Sequence, residues 1–361
     1  MTLVVVLAVA IVMVVQRFER PSCLGDVGFN WPNAGRVYLG GLTQKSTTAQ
    51  QPMRPFAVAQ AAGIPQVRVF LGVDAALDMW RQNPQKGLAA VDRMVADAET
   101  HNVRVVLSNY PDLPMISALA GHGYPSWEAA QQDLTTPGSV PYERFGQWLT
   151  DVVPRVATHP AVAAWEVVNE PGYMLGIDQG AINVDAGLSF VGHFADLLHR
   201  LGARTVTGGG RPIFDPARLS DAQLAKYAEH IDVLDDHLYP ETAVIGGHGV
   251  SGDDARAAVA YTANWFDRAR HLTGRPDMPA MLGEVASQPP GWFAIVQETA
   301  AQYGWPVLAW GFDAYDDNDF TDHVRPDVLQ SLGEAARAAA QVNGRFPVLV
   351  GTPRCSGPRQ R

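Results

Sequence analysis

The 361-residue sequence predicts an α/β fold, a single-domain (β/α)8 TIM barrel, and three observations carry that expectation. Eight short apolar or β-branched runs alternate with helix-like stretches, no low-complexity linker or short repeat interrupts them, and several runs end in a polar side chain. Alternation of this kind implies a parallel sheet covered by helices, and eight units fit closure into a barrel with some long loops. A doubly wound open sheet is the rival. Its Gly-rich fingerprint is missing, because the GGG at 208–210 runs into RPIFDPARLS instead of a helix, and those glycines read as a strand exit.

The strand candidates, in order, are DVGFN (26–30), VRVFLG (67–72), VRVVLSN (103–109), VAAWEVVN (162–169), RTVTGG (204–209), VLDDHLY (233–239), AMLGEV (280–285) and PVLAWGF (306–312). Helices are expected near 50–62, 87–101, 142–158, 186–201, 221–230, 253–272, 291–303 and 326–342. In the second of these, Leu88, Val91, Met94 and Val95 recur at helical spacing.

Composition narrows the function. With 47% hydrophobic and 18% charged residues the chain can bury a large core, and a net charge of −10 without a basic run argues against a nucleic-acid partner. The nine tryptophans and ten tyrosines are compatible with sugar-stacking surfaces, although large aromatics mostly fill cores. Residues 1–22 form a hydrophobic segment whose apolar run, Leu3 to Val15, is shorter than the roughly 20 residues of a spanning helix and reads as a signal-peptide core or short membrane anchor. No basic residue precedes the run and no small-residue cleavage site follows it, whereas Arg17 and Arg20 do follow it. Export is the favoured expectation, giving an extracellular or cell-envelope location; the barrel would then span 23–345 and a polar tail 346–361. Cys23 and Cys355 are either incidental thiols or, in an exported chain, one bond joining the ends.

In a barrel of this class the active site lies at the C-terminal strand ends, so polar residues there are informative. Strand four ends in Asn169 and Glu170, strand six in His237 and Tyr239, and strand seven in Glu284, while strand eight carries Trp310 and strand two contains Arg68. Glu166, two residues before the expected end of strand four, reads as a carboxylate inside the barrel. Two carboxyl groups about 5 to 5.5 Å apart cleave a glycosidic bond with retention, one as nucleophile and one as general acid. The ends of strands four and seven face each other across a barrel mouth, and Arg68 and Tyr239 are suitable donors to Glu284.

The motifs WEVVNEP (165–171), HLYP (237–240), LGEVAS (282–287) and LAWGFDAY (308–315) resemble those of clan A glycoside hydrolases, especially family 5, in their order and spacing. The resemblance implies Glu170 as acid/base and Glu284 as nucleophile, with Asn169 bonded to a sugar 2-hydroxyl. It further implies that Tyr239 and Arg68 orient Glu284, that His237 lies near the acid/base, and that Trp310 is the floor under the sugar being cleaved. Strand three ends in Asn109 and Tyr110 where many members have histidine, a pattern closer to the mannanase branches, and Trp127 is a further platform candidate. Trp31, beside Asn30 in GFNWPNAG, joins the substrate-binding candidates.

No cofactor or catalytic metal is expected. The acidic loop DAYDDNDFTD (313–322) lacks the Gly and distal Glu of a calcium loop, and no HExxH is present. The expected partner is an oligo- or polysaccharide, and the expected activity is retaining hydrolysis of a β-linked glycan of mannan, glucan or cell-envelope type. A transglycosylase of the same mechanism and a glycan-binding barrel without activity are the alternatives.

Overall fold

The computed structural model describes residues 27–31, 55–71, 80–240, 252–286, 290–310, 330 and 333–334. The expected segment at 1–22, the Cys23–Cys355 bond, the acidic loop at 313–322 and the tail at 346–361 lie outside the described residues. So does the helix expected at 326–342, apart from Gln330, Gly333 and Glu334, which are helical. No helix among the described residues is long and apolar enough to cross a membrane.

Eight strands form: β1 (Val27–Trp31), β2 (Gln66–Leu71), β3 (Arg104–Asn109), β4 (Val162–Glu166), β5 (Val206–Thr207), β6 (Leu234–Leu238), β7 (Ala280–Ala286) and β8 (Val307–Trp310). They pair in the order β5-β4-β3-β2-β1-β8-β7-β6 with every pairing parallel. A parallel bridge from Thr207 to Val233 joins β5 to the start of β6 and closes the barrel. The helices are α1 (Pro55–Ala62), α2 (Pro84–Thr100), α3 (Leu113–Ala120), α4 (Trp127–Thr135), α5 (Val140–Val156), α6 (Pro171–Met174), α7 (Val184–Arg200), α8 (Asp221–Glu229), α9 (Gly252–Thr273) and α10 (Pro290–Gln302).

Strand pleating decides what each residue does. Along β2, Val67, Val69 and Leu71 enter the main core with Met94, Trp148 and Phe194 of the surrounding helices. Burying each such side chain contributes on the order of 1.5–3 kcal/mol. Arg68, between them, faces the opposite way into the barrel, where it meets Asn30, Ser108 and Glu166. Beneath that polar layer, Val106, Ala164, Val233 and Met281 form a small separate apolar cluster.

The structure adds α3 and α4 between β3 and α5, where the sequence predicts no helix. Each is short, and its signal is a cap: the Asp112 side chain accepts from the Met115 N–H at 2.8 Å and that of Ser126 from the Ala129 N–H at 3.2 Å. Strands β4 and β5 are shorter than expected by three and four residues. The β4 ladder stops at Glu166, after which Val167 and Glu170 donate to Thr207 and Gly209 at 3.0 and 2.7 Å, while Asn169 donates to the Asn109 carbonyl at 2.7 Å. Strand β5 gives way to Gly208–Gly210 because the chain there runs hard against its neighbours. A Cβ on Gly209, whose φ is 95°, would lie 2.1 Å from the Val168 carbonyl oxygen.

Candidate active site

Arg68 is the hub of the mouth. Its Nε and Nη2 donate to the two oxygens of Glu166 at 2.7 and 2.6 Å, Nη1 to Glu284 at 2.5 Å and to Asn30 at 2.8 Å, and Nη2 also to Asn169 at 2.6 Å. The guanidinium is fully buried. Burial works against its charge, but Glu166 and Glu284 outweigh that and hold it protonated. Asn169, bonded to Arg68 through Oδ1, has its amide NH2 turned away from the guanidinium.

Glu284 is buried and held on both oxygens, by Arg68 on one and by the Tyr239 hydroxyl on the other. Burial pushes its carboxyl up; the charges of His237 and Arg68 pull the other way without overcoming it. A register shift in the β6–β7 pairing between Asp236 and His237 sets His237 opposite Glu284.

Glu170 is built differently. It occupies the left-handed region at φ 43°, uncommon for a residue with a Cβ, and precedes Pro171, the first residue of α6. The Glu170 N–H donates to the Gly209 carbonyl, and its own carbonyl accepts from Tyr173 and Met174 at 3.0 and 2.8 Å. That turn lifts its side chain over the mouth, a third exposed. Its one described side-chain bond comes from His237 Nδ1, 3.0 Å from Oε1. Burial works to raise the carboxyl, but the hydrogen bond and charge of His237, with Arg68 and Arg211, hold it below its ordinary range.

One donor atom from each of Glu170, His237 and Glu284 lies within 4.8 Å of the others. This is a cluster of acid and imidazole groups with a guanidinium 2.5 Å from Glu284, which makes it a poor seat for a cation. Burial would lower His237, yet Glu284, the bond to Glu170 and Asp235 together raise it to about 9, so the ring is an imidazolium at neutral pH.

The structure therefore gathers Arg68, Asn169, Glu170, His237, Tyr239 and Glu284, all expected from the sequence, at one end of the barrel. Trp310 ends β8 partly exposed, its ring 5.7 Å edge-on from Phe70, whose own face lies 4.6 Å from the Arg68 guanidinium. Asn109 and Trp31 sit elsewhere. Asn109 is buried between β3, β4 and α5, donating to the Glu166 carbonyl at 2.9 Å and accepting from Trp148 Nε1 at 3.2 Å, so it braces the wall. Trp31 is 5% exposed and packs in the main core 5.6 Å from Phe29, on the strand face opposite the site. Trp127 starts α4 against the same core.

Three residues of the site escaped the sequence reading. Asn30 accepts from Arg68 and donates to the Gly283 carbonyl at 2.9 Å, tying β1 and β2 to β7. Asp235 lies buried behind His237, and Arg211 pairs with Asp236 beside it. A signal for one of them, Asp235, was present, since adjacent carboxylates in VLDDHLY are costly in a buried run unless partnered.

No protein-family model and no curated protein matches the sequence. Solved structures do match in shape. An endo-1,4-beta-D-mannanase from Thermotoga petrophila RKU-1 superposes with a TM-score of 0.56 at 14% identity over 87% of this chain and 100% of that one. A GH5-4 broad specificity endoglucanase from Clostridium longisporum gives 0.59 at 11% identity over 88% and 97%. Endo-glycoceramidase II from a Rhodococcus species gives 0.56 at 18% identity over 86% and 78%. At these identities the likeness is one of fold: the chain is a (β/α)8 barrel of the architecture these three proteins share.

Proposed function

We propose that the protein is a retaining glycoside hydrolase of the family 5 type, acting on a β-linked glycan. The observation that carries this reading is the pair of glutamates with oxygen atoms within 4.8 Å, one rigidly held and one not. Glu284, fixed on both oxygens, is suited to attack an anomeric carbon in line. Glu170, a third exposed and held at one oxygen, is suited to exchange a proton with whatever occupies the mouth. In the first step Glu284 forms the bond to the anomeric carbon as Glu170 protonates the departing oxygen. In the second, Glu170 as a carboxylate takes a proton from water, which displaces Glu284. In this reading Asn169 donates to the 2-hydroxyl and Trp310 supports the ring. The solved structures of like fold include enzymes named for mannan, glucan and glycolipid substrates, which supports the chemistry and leaves the sugar open.

The resting carboxyl directions run opposite to these roles: burial raises Glu284, and the bond and charge of His237 lower Glu170. The His237 imidazolium lies 3.0 Å from Glu170 and 3.5 Å from Glu284 and stabilises the more accessible anion by a direct bond. One proton is thus available to the Glu170–His237 pair, and the role of each glutamate follows from how it is held. Glu170→Ala is expected to slow hydrolysis of glycosides with poor leaving groups by about 10²–10⁴-fold and to spare the glycosylation step of activated aryl glycosides. Equal losses on both substrates would remove the acid role.

A cleft of about 930 Å³ opens from Glu170 and His237 between the loops after β4 and β5. Tyr173 and Phe214, each about half exposed at 51% and 52%, stand on its lining beside Arg211 and Arg218. Aromatic faces interleaved with polar side chains suit a sugar on the leaving-group side. Phe214→Ala is expected to raise KM for an oligosaccharide about tenfold with little change in kcat, a loss near 1.4 kcal/mol. An unchanged KM across substrates of increasing length would place the chain elsewhere.

A further inference from the structure

Two buried polar atoms inside the barrel face one another without a hydrogen bond. His237 Nε2 and Asp235 Oδ2 are 3.9 Å apart, on side chains 4% and 0% exposed. The pleat of β6 brings them together: Asp235 and His237 point inward, while Asp236 between them points out to Thr262 and to Trp265 of α9. Both neighbours are clamped by backbone. Asp235 Oδ1 accepts from the Gly283 N–H at 2.8 Å, where any Cβ would come within 2.6 Å of the carboxylate, and a Cβ on Gly210 would stand 3.2 Å from the imidazole. The ring therefore has one nitrogen toward Glu170 and the other toward Asp235.

We propose that Asp235 is a positioning residue for the acid/base step, holding the Nε2–H of His237 so that the ring gives its Nδ1 proton to Glu170. This rests on the glycosidase reading. The step moves one proton: the His237 Nδ1–H bond breaks, the Glu170 Oε1–H bond forms, and an imidazolium–carboxylate pair becomes a neutral imidazole and a carboxylic acid. The neutral ring keeps its proton on Nε2, directed at Asp235 Oδ2 across the 3.9 Å between them. An acid depressed in the resting site is loaded this way without a proton from solvent.

The surrounding charges are consistent with that task. His237 faces Glu170, Glu284 and Asp235, with Arg68 opposing its charge. Asp235 faces His237, Glu166, Arg68, the Gly283 N–H and the Tyr227 ring of α8. Burial pushes the Asp235 carboxyl up to about 8, with His237 and Arg68 pulling against it and Glu166 adding to it. With Oδ1 engaged by the Gly283 N–H, it is the ionised Oδ2 that faces the Nε2–H as an acceptor, and the His237 and Arg68 charges favour that form. With His237 raised to about 9, its charge is present at neutral pH and lost as pH rises through that value.

Asp235→Asn is the informative variant. The Gly283 N–H requires an oxygen at the Oδ1 position, so the amide nitrogen must take the place of Oδ2 and donate toward Nε2. It opposes the imidazolium and favours the tautomer with its proton on Nδ1. In wild-type protein labelled with 15N in its imidazoles, an NMR titration is expected to show His237 losing its charge near pH 9 and retaining the Nε2 proton. In Asp235→Asn the midpoint is expected to fall by at least about one pH unit and the neutral tautomer to switch. Hydrolysis of poor leaving groups is expected to fall about tenfold or more, with activated aryl glycosides spared. If the variant does not fold, wild type decides alone, since a neutral ring carrying its proton on Nδ1 overturns the proposal. An unshifted His237 in a variant that turns over glycosides normally overturns the Asp235 role and leaves the glycosidase reading intact. A shifted His237 in a protein that turns over no glycoside upholds the pair and removes the glycosidase reading.

Discussion

Arg68→Met is expected to destabilise the protein by about 3–5 kcal/mol, among the largest effects of any single substitution here. Methionine fills most of the volume, so the loss is electrostatic and not a cavity. The guanidinium is the partner of both Glu166 oxygens, of one Glu284 oxygen and of the Asn30 and Asn169 amides, all buried. Removing it strands two carboxylates in the barrel interior at once. The loss has a definite pH sign. Glu284 is already pushed above its ordinary 4.5 by burial, and losing Arg68 pushes it further. A carboxyl raised in the folded state destabilises little below its unfolded value and progressively more as pH rises. The deficit against wild type, measured by urea unfolding, is therefore expected to be larger at about pH 7.5 than at about pH 5. A deficit below about 1 kcal/mol, or one that grows on acidification, would mean that the hub does not carry the stability assigned to it.

The same network shows which parts of the site a sequence can disclose. A polar residue at the end of an apolar run is visible, and it located Glu170, His237 and Glu284 because the barrel brings those ends to one mouth. What a run of letters obscures is the face on which each residue stands. In GFNW the aromatic looks the better sugar contact, yet the two-residue pleat sends Trp31 outward with Phe29 and Asn30 inward to Arg68. In LSN the same alternation gives Ser108 to Arg68 and Asn109 to Trp148. Asp235 was hidden for a related reason. Two adjacent acids in β6 look equivalent, but one braces the outer helix layer and the other lies behind His237. The eight strands were legible because apolar or β-branched runs recur eight times, although β4 and β5 stop before their runs do. The helices α3 and α4 were not, since each amounts to about two turns whose main signal is a capping side chain.

Glu284→Ala is expected to reduce turnover by at least about 10⁴-fold while leaving the fold intact. The side chain can be lost without collapse, because Arg68 keeps Glu166, Asn30 and Asn169 as partners. The loss should be equal for good and poor leaving groups, which separates it from the Glu170 variant: without a nucleophile, protonating the departing oxygen accomplishes little. Two further measurements identify the atom that attacks. In wild type, a 2-fluoroglycoside of a suitable sugar is expected to leave a covalent adduct on the peptide containing Glu284, because fluorine slows both steps and an activated leaving group restores only the first. In the Ala variant, azide can enter the vacated space and attack the anomeric carbon from the face Glu284 had used, giving a glycosyl azide of inverted configuration. An adduct on Glu170 would exchange the two roles. An azide product with retained configuration would place the attacking group on the opposite face of the sugar, where Glu284 cannot stand.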